Sequence, residues 1–288
     1  MSSGPPDEMV GRVAVVTGAT GGIGREVAIG LARHGGTVVV VGRGSERAAL
    51  AAESIGQAAL SRHVESIGTT DLALRAEQRR LADELLRRYP QIHVLVNNAG
   101  AIFAQREVTA DGLERTFALN VLAPYVLTSR LAPRLRESGG GRVVNIASAA
   151  HRGRRVDLAD LQSKIRYSGW RAYGTSKLEL ILLTREFARR FGAEGPTVNA
   201  VHPGFVRSGF AQNNPGGFAT AVRWAALLAG RSPERGARTP VYVAVEPSLA
   251  NVTGEYFSDF RVRPGSAASR DPTVSAALFD RCAALAAG

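Results

Sequence analysis

The stretch TGATGGIG (Thr17–Gly24) constrains this chain more than any other, because of what stands on either side of it. Before it runs RVAVVTG, Arg12 to Gly18, apolar and β-branched, which reads as a buried strand. After it, Ile23 to His34 carries helical periodicity with Val27, Ile29 and Leu31, and Gly35 and Gly36 end it. A strand that turns through glycines straight into a helix leaves N–H groups unpaired at the helix start, with partial positive charge behind them. Glycines let an anion approach that backbone closely, so Gly18, Thr20, Gly22, Ile23 and Gly24 are candidate pyrophosphate contacts. Out of context the same residues could be a flexible turn; the flanking strand and helix favour the binding loop.

The alternation continues along the chain. TVVVVG (Thr37–Gly42) is a second buried strand and Ser45 to Leu60 a second helix. A faint third strand near Val64 to Ile67 leads to a helix over 72–89, stopped by Pro90. IHVLVNNAG (Ile92–Gly100) and RVVNIAS (Arg142–Ser148) flank a long helical stretch from Leu113 to Glu137. A helix over 172–191, the strand TVNAVHPG (Thr197–Gly204) and a last strand near Gly254 to Phe257 follow. Continuous apolar strands separated by helices predict a single-domain Rossmann-type α/β fold, a doubly wound parallel sheet of about seven strands with helices on both faces. Residues 1–10 read as a disordered leader and 11–288 as one domain. No apolar run approaches the roughly 18 residues that cross a bilayer, and the polar start lacks a secretory layout. No membrane contact and a cytoplasmic location are therefore expected, which the single cysteine, Cys282, fits.

A formal net charge of +11 raises the question of nucleic acid. The basic residues are scattered without aromatic interleaving, so no nucleic-acid partner is expected; a salt-dependent DNA shift would say otherwise. The kind of cation is more telling. Lys164 and Lys177 are the two lysines, and every other permanent cation is arginine. A compact ammonium with an adjustable pKa cannot be imitated by a guanidinium, so either lysine is a place where that difference can matter.

At the end of the second strand a carboxylate would bond ribose hydroxyls, whereas an arginine accommodates a 2′-phosphate. Here stands Val41-Gly42-Arg43, with Arg47 one helical turn on and no carboxylate before Glu46. Both arginines could be surface residues in so arginine-rich a chain; with the carboxylate missing as well, they select NADP(H). Tyr173 and Lys177, four apart, share one face of a helix, and Ser148 ends the fifth strand on the ligand-binding side of a parallel sheet. Carbonyl reduction leaves charge on oxygen that must be protonated; a phenol can give that proton, and a nearby ammonium favours its return. His151 and His202 flank this set, but without further spaced partners no metal is expected. Trp170 reads as packing.

Thr-Gly-x-x-x-Gly-x-Gly together with Tyr173-Gly-Thr-Ser-Lys177 resembles the short-chain dehydrogenase/reductase family over nearly the whole chain from Gly11. The resemblance implies a nicotinamide cofactor, with Asp71 and Leu72 at the adenine and Asn98-Ala99-Gly100 beneath the cofactor. It puts Pro203, Gly204, Val206 and Ser208 at the nicotinamide end and gives Lys177 the ribose. It also implies that Asn120 supports a water linking Lys177 to solvent, completing a catalytic set Asn120, Ser148, Tyr173, Lys177. Tyr173-Gly-Thr-Ser-Lys-Leu-Glu, the extra segment Val156 to Tyr167, and GEYFSD from Gly254 are similar to the retinol dehydrogenase-like and WW-domain-oxidoreductase-like group. That group implies NADP(H) and alcohol/carbonyl pairs of lipophilic molecules.

A substrate lid is expected over about residues 205–235, where Phe210, Phe218, Trp224 and Leu227 predict an apolar or aromatic ketone or aldehyde. Phe210 and Trp224 are its candidate contacts, beside Ser148 and Tyr173. The family further implies a homodimer or homotetramer built through its longest helices. Arginine- and alanine-rich usage suggests a high-GC bacterium, where enzymes of this family often tailor secondary metabolites. The rival readings are an epimerase or dehydratase, which would carry a differently spaced glycine loop and a longer C-terminal domain, and a non-catalytic cofactor sensor on the same scaffold.

Overall fold

The computed structural model describes residues 8–206 and 230–288. Valine-rich runs dictate its centre: β1 (Val13–Thr17) and β2 (Thr37–Arg43) bury side chains on both faces, as only strands inside a doubly covered sheet can. With β3 (Val64–Thr69), β4 (Val94–Asn97), β5 (Arg142–Ile146), β6 (Thr197–His202), β7 (Tyr256–Ser258) and β8 (Arg261–Arg263) they form one sheet, ordered β3-β2-β1-β4-β5-β6-β7-β8. Pairing is parallel throughout except between β7 and β8. The chain winds outward from β1 in one direction to β3, then returns to β4 and winds the other way. That reversal opens a crevice beyond the carboxyl ends of β1 and β4.

Helices cover both faces. α1 (Gly22–Arg33), α2 (Ser45–Ala59) and α7 (Pro233–Val245) pack one side, where Val16, Val38, Val40, Val27, Ile55 and Val243 share a core. On the other side lie α3 (Arg75–Arg88), α4 (Arg115–Phe117), α5 (Ala123–Glu137), α6 (Gly169–Phe191) and α8 (Pro272–Ala287), around Val15, Val39, Leu85, Leu122, Leu182 and Leu278. Between α4 and α5 the residues Ala118–Leu122 make a π turn. No helix among the described residues is long and apolar enough to cross a membrane.

Several expectations need correction. The sheet has eight strands, not about seven, because the antiparallel β8 is three exposed residues with an arginine at each end and no apolar run to announce it. Met9, expected in the leader, is instead buried against α1, and its N–H donates to His34 O at 2.9 Å. The helix expected from 72 begins at Arg75, since Leu72 and Ala73 are buried in a turn closed by Leu74 N donating to Asp71 O at 3.0 Å. The long helix over 113–137 is broken by the π turn, which precedes Pro124 in the first turn of α5.

Helices α7 and α8 were not foreseen. α8 starts on Asp271, whose carboxylate accepts from Thr273 N and Val274 N, with Pro272 opening the helix. It lays Phe279 between Tyr125 of α5 and Phe187 of α6, each with ring centroids 4.9 Å away. The guanidinium of Arg190 stands 3.9 Å over the Phe279 ring. α5 and α6 thus have part of their outward surface covered by the helix Pro272–Ala287, where the resemblance would put a second copy.

Candidate active site

The crevice is a cleft of about 740 Å³, lined along its length by the ends of β1, β2, β4, β5 and β6. Its floor at one end is the glycine loop. A Cβ on Gly24 would lie 2.3 Å from Asn98 Nδ2 and 2.5 Å from Gly18 O, so only glycine fits. That closeness is used: Asn98 Nδ2 donates to Thr17 O at 2.9 Å and to Gly18 O at 3.1 Å. In return, Thr17 Oγ1 accepts the N–H groups of Asn98 and Ala99, each at 3.0 Å. The loop is thereby latched to the end of β4. Gly21 caps α1 without any side-chain hydrogen bond, leaving the first-turn amides turned to the cleft for an anion. α2 repeats the device: its cap is Gly44, again with no side-chain bond, and exposed Arg43 and Arg47 flank it on the cleft wall. Beside them Asp71 Oδ2 accepts Arg115 Nη2 at 2.7 Å and Oδ1 accepts Ala73 N at 2.9 Å.

At the other end stand Ser148, Tyr173 and Lys177. Lys177 is buried on α6 and its Nζ donates to Ile146 O at 2.8 Å. Burial pushes this ammonium down to about 8. Tyr173, half-buried one turn earlier, has its phenol pushed up to about 12 by burial, opposed by a hydrogen bond with Ser148. Nζ lies 5.6 Å from the Tyr173 ring centroid. Phenol, hydroxyl and ammonium therefore converge, with the phenol holding its proton and the ammonium near its titration point.

Asn120 stands apart from this description. It is fully buried in the π turn and does not line the cleft. Its Oδ1 accepts Ala101 N at 2.9 Å, and its Nδ2 donates to Ala101 O at 2.9 Å and Ser176 Oγ at 3.0 Å. A Cβ on Gly100 would come 3.1 Å from Asn120 Oδ1 and 3.4 Å from Lys177 Nζ. The bare glycine keeps the approach to the ammonium open, and the π turn, a device common at functional sites, holds it there.

The sequence profile described as short chain dehydrogenase matches residues 12–216. The chain belongs to the short-chain dehydrogenase/reductase family. Human retinol dehydrogenase 13 is 33% identical over 283 residues, covering 96% of this chain and 84% of that protein. A Streptomyces protein provisionally named as a daunorubicin C-13 ketoreductase is 37% identical over 283 residues, covering 97% and 94%. The solved structure of an uncharacterised protein from Mycobacterium paratuberculosis superposes with a TM-score of 0.78 at 30% identity, covering 99% and 96%. Within the family the chain falls in the retinol dehydrogenase-like group. Members of the family are oxidoreductases that bind nicotinamide cofactors. The residues present fit such a group: uncapped amides of α1 at one end of the cleft, and at the other a bare Gly100 beside Lys177.

Apart from Asn120, every site residue predicted for this short-chain dehydrogenase/reductase that the structure describes lines the cleft. Ser208, Phe210 and Trp224 lie outside the described residues, as do Phe218 and Leu227. Of the expected lid over 205–235 the two ends are seen: Arg231 N donates to Phe205 O at 2.7 Å, and residues 233–235 are the first turn of α7. Three further cleft residues, not assigned to the site by sequence, bear on its shape. Arg115, bonded to Asp71, lines the adenine side, and its guanidinium stands 5.1 Å from the ring centroid of Phe103, which lines the cleft where its backbone meets Gly169. Trp170 lines the mouth, edge-on to Tyr173 with centroids 6.4 Å apart and 43% exposed, so it is more than packing. No local pattern marks Phe103 or Arg115; for Trp170 the signal was its place one turn before Tyr173.

Proposed function

We propose that this enzyme transfers hydride between NADP(H) and the alcohol/carbonyl pair of a hydrophobic molecule. The observation that carries the reading is the convergence of Ser148, Tyr173 and Lys177 at one end of a cleft whose other end offers uncapped helix starts and two arginines. When bound, the nicotinamide supplies or accepts the hydride. The chain's own residues manage the oxygen and its proton. The Ser148 hydroxyl holds the carbonyl oxygen against the Tyr173 phenol, which donates its proton as charge develops there. Lys177, desolvated and one turn along α6, places positive charge beside the phenol and makes its ionised form less costly when the reaction runs as oxidation. Asn120 acts by position, bracing Ala101 and Ser176 on either side of Lys177.

Trp170, Phe103 and Phe205 give the mouth an aromatic wall, which supports a hydrophobic substrate. With NADPH in excess, benzaldehyde, acetophenone and decanal are expected to be reduced faster than pyruvate or glyoxylate, followed by loss of NADPH absorbance. A preference for the small acids would remove the substrate class from this reading. The Streptomyces relative lends support to a place in bacterial secondary metabolism. A cytoplasmic homodimer or homotetramer completes the reading, assembled on surfaces that leave α8 in place.

Selection of NADP(H) rests on Arg43 and Arg47. Each charge-assisted hydrogen bond to a phosphate is worth about 1.5–3 kcal/mol. Arg43→Glu combined with Arg47→Ala is therefore expected to weaken NADPH binding by roughly a hundredfold or more while leaving NADH within a few-fold. Titration of cofactor fluorescence reads both. Equal affinity of the unaltered protein for the two cofactors would show that the arginines select nothing.

A further inference from the structure

Two histidines, His151 buried and His202 half-buried, flank Ser148 and take no part in the chemistry above. His151 closes the short 3-10 turn Ala149–His151 that follows Ser148, and it is wholly inaccessible. Its Nε2 meets the backbone N–H of Ser266 at 3.2 Å. A backbone amide only donates, so Nε2 is the bare nitrogen and Nδ1 carries the hydrogen. That Nδ1–H faces the carbonyl oxygen of Ser148, 2.6 Å away. Burial keeps the imidazole below its ordinary pKa, in keeping with this neutral tautomer. The ring also packs edge-on against Tyr256 of β7, with centroids 5.0 Å apart.

The turn it closes has little room to shift. A Cβ on Gly174 would stand 2.6 Å from Ala150 O, so the turn lies directly on the face of α6 next to Tyr173. From the other side, Ala149 N donates to His202 Nδ1 at 3.3 Å. Among the described residues, the Ser148 hydroxyl itself has only a long bond from Ala150 N, at 3.2 Å, and its contact with Tyr173. Its place is therefore set by the main chain, and the main chain is held at the Ser148 carbonyl.

We propose that His151 is a positioning residue: by bridging the Ser148 carbonyl to the Gly265–Ser266 turn, it fixes where the Ser148 hydroxyl stands relative to Tyr173. The inference rests on the role given to Ser148 above and adds to it a dependence on a C-terminal segment remote in sequence. Misplacing a reacting group by about 1 Å can cost a hundredfold in rate, so a single strut of this kind has kinetic weight.

Three substitutions separate the two ends of the bridge. His151→Phe keeps a ring and removes both bonds. In His151→Asn the amide Nδ2 takes the place of Nδ1–H and keeps the donation to Ser148 O; in His151→Gln the Oε1 takes the place of Nε2 and keeps only Ser266. With benzaldehyde and NADPH, all three variants are expected to lose about tenfold or more in kcat, with KM for NADPH moved by less than about twofold, because either bond alone leaves Ser148 without its link to Ser266. An unimpaired Phe variant, or an Asn or Gln variant that keeps full kcat, overturns the proposal. Should the unaltered protein reduce none of the carbonyls, the reductase reading falls by itself, and hydrogen exchange then decides the bridge. The Phe and Asn variants must lose protection at the Ser266 amide while Gln retains it; protection unchanged in the Phe variant refutes the bridge.

Discussion

Tyr173→Phe is expected to lower kcat for carbonyl reduction by about a thousandfold, within the range that a positioned general acid supplies. The ring that packs edge-on to Trp170 and lies under Lys177 Nζ stays, so NADPH affinity should move by less than about threefold. What goes is the hydroxyl that bonds Ser148 and carries the proton. The pH profile separates the partners. The phenol, pushed up to about 12, stays protonated through the working range and does not limit reduction. The Lys177 ammonium, pushed down to about 8, is charged below that value and neutral above it. Kcat/KM for reduction should therefore fall as pH climbs past about 8, and oxidation, which needs the phenolate that the ammonium favours, should rise up to about that pH and level off above it. Lys177→Met should flatten the alkaline fall at a low plateau. A profile for Lys177→Met that keeps the same fall would assign it to another group.

The parts of this molecule that the sequence made legible are those where one residue type alone satisfies a local constraint. Gly24 could be read because no side chain fits between Asn98 and Gly18, and the loop falls between a strand and a helix. Tyr173 and Lys177 could be read because helical spacing puts them together without help from elsewhere. β3 was faint because, as an edge strand, it carries the polar Glu65 and Ser66 on its two faces, Glu65 exposed and Ser66 half-buried; its pairing with β2 over six residues is a tertiary fact. Where a role depends on contact between distant segments, sequence was silent. Nothing near His151 announces Ser266, and nothing near Arg115 announces Asp71. The Asn120 amide is committed to Ala101 and Ser176, an arrangement visible only once the π turn is formed. α8 was hidden by its own composition, since alanines on every side blur the stripe that Leu278, Phe279 and Cys282 make.

That hidden helix carries the largest expected effect on the fold. Ending the chain at Asp271 removes Leu278 and Cys282, both fully buried, and uncovers Tyr125 and Phe187 by taking Phe279 from between them. It also strips two α8 carbonyls, of Leu285 and Ala286, from Arg75 and Arg79 of α3. Each large apolar side chain returned to water costs about 1.5–3 kcal/mol, so the sum approaches the whole margin of roughly 5–15 kcal/mol by which such domains are stable. The bared surface lies on α6, the helix that carries Tyr173 and Lys177, so the site should loosen with it. The shortened chain is expected to associate or precipitate, seen by light scattering after gel filtration, and to bind NADPH poorly. A milder version, Leu278→Ala, should cost about 2–5 kcal/mol and lower Tm by roughly 5–15 °C. A shortened chain that stayed dispersed, melted at the full-length Tm and kept its NADPH affinity would mean that α8 is a mere appendage, and that the outward face of α5 and α6 is free for another copy after all.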